Sequence, residues 1–112
     1  MPFHRFYCSP NLYTKEEKQA IAQAIVKFYA NLPPFLVIVN FIEVEKDNFY
    51  VGGESTDRFL RINVQHSAHN AQDTKEKRDW MDGYEKAIEP FTKGKGINWE
   101  LQITNADVSP IV

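Results

Sequence analysis

The chain has 112 residues, 43% of them hydrophobic and 25% charged, with a formal net charge of −2 and one cysteine. That length supports a single domain (1–112) with a modest core, and the composition is ordinary for a globular protein. Scattered positive charge, a lone cysteine and the lack of a long apolar run exclude a basic nucleic-acid surface, an internal disulfide, a membrane span and a signal peptide, so the expectation is a soluble cytoplasmic protein with neither a nucleic-acid nor a membrane partner.

In chain order, Phe3 to Cys8 reads as an aromatic-rich strand, broken by Ser9-Pro10-Asn11. Thr14-Lys15-Glu16-Glu17 forms a capping box that opens a helix whose apolar stripe is Ile21, Ile25, Phe28, Tyr29 and Leu32. Pro33-Pro34 stops it. Phe35 to Val44 is almost wholly apolar and β-branched, which suits a strand covered on both faces. Phe49 to Gly53 reads as a short extended piece ending in a glycine turn. Arg58 to Gln65 alternates Leu60, Ile62 and Val64 against Arg61, Asn63 and Gln65. Asp73-Thr74-Lys75-Glu76 caps a second helix with the stripe Trp80, Met81, Tyr84, Ala87, Ile88 and Phe91, interrupted by Gly83 and ended near Pro90. Lys75, Lys77 and Arg78 form its solvated face. Gly94 and Gly96 turn the chain into a last strand, Asn98 to Thr104.

The order is strand, helix, strand, twice over, with halves at about 1–53 and 54–112. Each helix is long enough to return the next strand parallel to its predecessor in a right-handed crossover. The expected fold is therefore α/β (α+β): two β-α-β units in one four-stranded sheet with both helices on one face. The other face is left bare, and copies of the same chain are its economical cover.

Pro2 follows the initiator Met. If Met1 is removed, Pro2 becomes a terminal secondary amine, which serves as a base when neutral or as a nucleophile toward a carbonyl. An apolar setting disfavours its protonated form and draws its pKa toward neutrality. The bland alternative is a stiff first residue before an edge strand.

The Met1-Pro2 start, the Leu12 to Leu32 helix, Val39-Asn40-Phe41-Ile42-Glu43 and Phe49-Tyr50-Val51-Gly52-Gly53 together resemble the tautomerase superfamily, and within it the cis-3-chloroacrylic acid dehalogenase-like group with its fungal members. The resemblance covers the first two-thirds of the chain by residue and the rest by plan. It implies a homotrimer with sheets lining the interior and an active site around each terminal proline. It also implies roles at positions where this chain departs from the group. Tyr29 stands where the dehalogenases carry a histidine that binds substrate or activates water; it is also a core residue of the helix stripe. Ser67 and Asn70 stand where two arginines clamp the substrate carboxylate, so bidentate recognition is lost. Leu101 replaces a tyrosine, and the group's longer C-terminal segment with its acidic residue has no counterpart. Hydrolytic dehalogenation is not expected.

Other polar residues have two readings each. His4 shares a face with Pro2, either donating to a substrate oxygen or filling the subunit interface. His66 and His69 have a spacing that could seat a metal on a helix but lack a third ligand, so they read as a loop pair in solvent and no metal is expected; the resemblance puts them in the segment that carries the relatives' clamp, from which they could approach the site. Arg58 and Arg61 are the nearest cations, and surface ion pairs are their ordinary fate. Cys8 reads as buried and inert. The expected activity is cofactor-free tautomerisation or isomerisation of a small carbonyl compound or unsaturated acid. Pro2 would be base and acid, His66 would lie nearby, and backbone amides near Leu36 or Ser67 would join Tyr29 or Asn70 in steadying the enolate oxygen. The alternative is a binding or assembly protein that keeps the fold without the chemistry.

Overall fold

The computed structural model describes residues 2–67 and 74–106, with the side chains of residues 66–67, 74 and 105–106 outside that description. The elements are β1 (Phe3–Cys8), α1 (Lys15–Phe28), β2 (Ile38–Glu43), β3 (Tyr50–Val51), β4 (Glu54–Ser55), β5 (Phe59–Ser67), α2 (Thr74–Ala87) and β6 (Asn98–Ala106). The main sheet runs β2-β1-β5-β6. β1 pairs in parallel with β2, and β5 with β6, while β1 and β5 are antiparallel across the centre. The doubled β-α-β plan is thus present.

Period-two alternation decides which face each strand buries. His4, Phe6 and Cys8 of β1 are buried, as are Leu60, Ile62 and Val64 of β5. They meet Ile21 and Ile25 of α1, Tyr84 of α2 and Ile88 just beyond it in one core. The register sets Arg5, Asn40, Asn63 and Gln102 in one row on the opposite, open face, with Tyr7, Ile42, Arg61 and Glu100 in another. The capping box at Thr14 is complete: its hydroxyl accepts from the Glu17 amide at 3.1 Å, and its own amide donates to Glu17 Oε1 at 2.9 Å.

Three expectations shift. α1 ends at Phe28, four residues before Leu32, because Tyr29 leaves helical geometry (φ −93°, ψ 61°) while its amide still donates to Ile25 and Val26. The chain needs those four residues to turn before the double proline, which cannot continue a helix. Residues 34–36 form a 3₁₀ turn rather than strand, since proline fixes φ and lacks a ladder donor, so β2 begins at Ile38. β2 is also an edge strand in this chain, half-buried at Ile38, Val39, Phe41 and Ile42 instead of covered on both faces. The glycine turn closes a hairpin, β3 with β4, in which Gly52 and Gly53 both take positive φ (61° and 85°).

Candidate functional site

Pro2 is buried at the head of β1. Its carbonyl accepts from the Ile38 amide at 3.2 Å, which fastens it to the start of β2. The antiparallel register pairs Phe3 with Gln65, so the backbone one step further on sets Pro2 opposite His66. β5 runs on to Ser67. The fold therefore brings the backbone of 66–67 beside Pro2, while the side chains of His66 and Ser67, and all of Asn70 and His69, lie outside the described residues. The Leu36 amide donates to the Pro33 carbonyl at 3.0 Å, and the Val37 amide to Pro34 at 3.1 Å. Both amides are engaged in their own turn; the Leu36 side chain is half-buried.

His4 projects to the same face as Pro2, and that is the helix-covered face, not the open one. The reading of His4 as a filler of an interface between open faces is therefore corrected: period two carries it into the core, where it is fully buried. Its Nδ1 lies 2.9 Å from the Tyr84 hydroxyl. The two rings are parallel at 5.4 Å, and the Tyr29 ring meets His4 edge-on at 5.5 Å. Phe28 stands edge-on to Tyr29, Trp80 and Tyr84 at 5.2, 5.3 and 5.7 Å, and Trp80 stacks on Tyr84 at 5.0 Å. Burial holds the hydroxyls of Tyr29 and Tyr84 well above the ordinary tyrosine range, with each ring's neighbourhood disfavouring the phenolate. Tyr29 is a partly buried packing residue, as its place on the helix stripe leads one to expect, and its ring meets His4.

Tyr84 is the residue that sequence reasoning missed. It was legible only as a stripe position, yet a core tyrosine needs a partner for its hydroxyl, and a buried histidine on the facing strand is a suitable one.

Arg58 and Arg61 stand away from Pro2. Arg61 is opposite Tyr7 on the open face, four residues along β5 from Gln65, or about 13 Å at strand rise. It pairs with Glu100 at 2.6 Å and donates to Gln102 at 2.8 Å. Arg58 donates to the Lys95 carbonyl at 3.4 Å, and Arg5 points to the open face, bonded to Gln65 and lying 4.3 Å over the Phe3 ring. The segment 66–73 carries no Lys or Arg. Leu101 is half-buried in β6, level with Ile62. Cys8 is buried, and burial pushes its thiol up to about 11, with Glu43 adding to the rise. Among the described residues no group of three or more His, Cys, Asp or Glu is placed to hold a metal, and no helix is long and apolar enough to cross a membrane. The open face holds a broad trough of about 570 Å³ with Arg61, Asn63, Gln65 and Gln102 on its floor.

The comparisons with known proteins agree with this architecture. Residues 1–110 match the family described as "Putative oxalocrotonate tautomerase enzyme". A solved structure described as "a probable enzyme from the thermophilic fungus Aspergillus fumigatus" is 32% identical, covers 99% of this chain and 80% of its own, and has a TM-score of 0.88. Native RhCC from Rhodococcus jostii RHA1 is 30% identical over 93% of this chain and 76% of its own, with a TM-score of 0.86. A member of the cis-3-chloroacrylic acid dehalogenase family shares the fold at 13% identity, over 97% of this chain and 78% of its own, with a TM-score of 0.70. No curated protein matches the chain by sequence.

Proposed function

This chain belongs to that tautomerase family, and from that premise we propose that Pro2, freed by removal of Met1, is the general base and acid of a cofactor-free tautomerase. The neutral amine takes a proton from the carbon next to a carbonyl, leaving an enolate. The resulting ammonium returns the proton at the oxygen or at another carbon, which moves the double bond and regenerates the amine. The observation that carries this reading is the position of Pro2: buried, hydrogen-bonded through its carbonyl to β2, and on the face of β1 where aromatic rings rather than charges gather. Such a setting disfavours the ammonium and keeps the amine a base near neutral pH.

Tyr29 supplies a neutral phenol for the enolate oxygen. His66, Ser67 and Asn70 form the polar side of the site, and Leu36 contributes an apolar wall. Its amide is engaged with Pro33, so oxyanion donation falls to Tyr29 and to the 67–70 segment. With Ser67 and Asn70 where the resemblance expects an arginine pair, the substrate is a small keto or enol compound, of the phenylpyruvate type or an unsaturated acid held without a bidentate clamp, and hydrolytic dehalogenation is not part of the activity. We place the chain in the cis-3-chloroacrylic acid dehalogenase-like group beside its fungal-type members, as one domain spanning 1–112, working as a cytoplasmic homotrimer.

The test is the decay of a phenylpyruvate-type enol. Pro2→Ala lowers kcat by about 10²–10⁴-fold if Pro2 is the base; equal rates remove it from the mechanism. A second reading, a binding or assembly protein, draws on the same burial of Pro2 and on the missing cations. A saturable small-acid complex with no turnover would favour it.

A further inference from the structure

We propose that His4 and Tyr84 form a positioning pair that holds the Tyr29 ring and the Pro2 end of β1 in their working arrangement. The inference rests on the reading of Pro2 given above and extends it to two residues that touch no substrate.

His4 is fully buried, and so is Tyr84. A leucine or phenylalanine at position 4 would fill the same core volume without a polar group to satisfy, so a histidine there costs desolvation that its partner must offset. The partner is a hydroxyl 80 residues away in sequence, 2.9 Å from Nδ1. A buried bond of this kind between Nδ1 and a hydroxyl adds little net stability, but it fixes geometry, because alternative packings leave both of those atoms unsatisfied. What this pair fixes is specific. His4 lies two residues from Pro2 on one strand face, its ring is parallel to Tyr84, and its other neighbour is Tyr29, met edge-on. Among the described residues, uncharged groups occupy the neighbouring positions. Val39 of β2 and Val64 of β5 are the register partners of His4, and Phe28 and Trp80 hold Tyr84. Among the described side chains, the titratable groups that face this end of β1 are His4 from β1, Tyr29 from the end of α1 and Tyr84 from α2, while the backbone of His66 lies opposite Pro2. Arg5 faces the other way.

The experiment compares full-length Tyr84→Phe and His4→Asn with the parent chain. Tyr84→Phe keeps every ring contact and removes only the hydroxyl. His4→Asn keeps a polar atom near the position of Nδ1 and can restore the bond. Two readouts are taken: kcat and KM for enol decay, and a ¹³C-observed NMR titration of the Pro2 ring. The pair predicts that Tyr84→Phe lowers kcat about tenfold with KM changed less than twofold, that its Pro2 titration moves to higher pH as the loosened site hydrates, and that His4→Asn retains more of both than Tyr84→Phe. A folded Tyr84→Phe with parental kcat and parental Pro2 titration overturns the proposal and leaves the base role of Pro2 standing. If Pro2→Ala does not change enol decay, the catalytic reading falls separately. The Pro2 titration then decides alone: a shift in Tyr84→Phe supports the pair, and no shift overturns it.

Discussion

At the scale of single residues, the chemistry divides by face. β1 sends His4, Phe6 and Cys8 into the core and Arg5 to the open side, so neighbours in sequence live in different solvents. Cys8 shows the consequence. With its thiol raised to about 11 it is neutral at pH 8 and shielded, so a thiol reagent should label it only as fast as the protein opens, and addition of denaturant should bring labelling to the rate of a free thiol. Fast native labelling would contradict its placement. The packing of Tyr29 against the core was legible in the sequence from its place on the helix stripe. The role of His4 was not, because period two says which residues share a face but not which face is covered. That required α2, 80 residues on, to deliver Tyr84.

At the scale of elements, the helices were read from stripes and caps, and the end of α1 was read four residues too late, ahead of the double proline. The capping box was legible because both of its hydrogen bonds lie within four residues. Thr14→Ala should cost about 1 kcal/mol in denaturant unfolding by loss of the cap. Gly83 read as a mild weakness in α2, and its reason is tertiary: a Cβ there would sit 3.1 Å from Phe28 Cε1, where α1 and α2 approach. Phe28 is held by Tyr29, Trp80 and Tyr84 and has little room to yield. Gly83→Ala should therefore destabilise the protein, although helix propensity alone favours it by about 1 kcal/mol; a rise in melting temperature would show that the helices can move apart freely. β2 was read as doubly covered because its sequence is apolar on both sides, yet in one chain it is an edge. Its composition anticipates a cover that a single copy does not contain.

At the scale of the molecule, that missing cover is the open face, where Tyr7, Ile38 and Ile42 stand beside the Arg61–Glu100 pair, while Phe35, Tyr50 and Val51 are exposed nearby in sequence to β2. The proposed assembly would cover this face. The proposed homotrimer predicts that Ile42→Asp lowers the assembly to single chains in sedimentation while the helical circular dichroism persists; an unchanged assembly would place the interface elsewhere. The buried hydroxyls also shape the pH response. Cys8, Tyr13, Tyr29 and Tyr84 all have raised pKa values in the fold, so the unfolded chain ionises first as pH rises. The stability they contribute is fully present below about pH 9 and is lost through about pH 11 and above, which urea unfolding between pH 8 and 11 should record as a steady decline. The proposed activity depends on a smaller thing, the secondary amine at residue 2. Peptide mass mapping after a short exposure at pH 7 to a small aldehyde with a mild reductant tests it most directly. The account predicts an N-terminal peptide that begins at Pro2 and carries the reduced adduct on that nitrogen. A peptide that still begins with Met1, or an unmodified Pro2 beside labelled lysines, would contradict it.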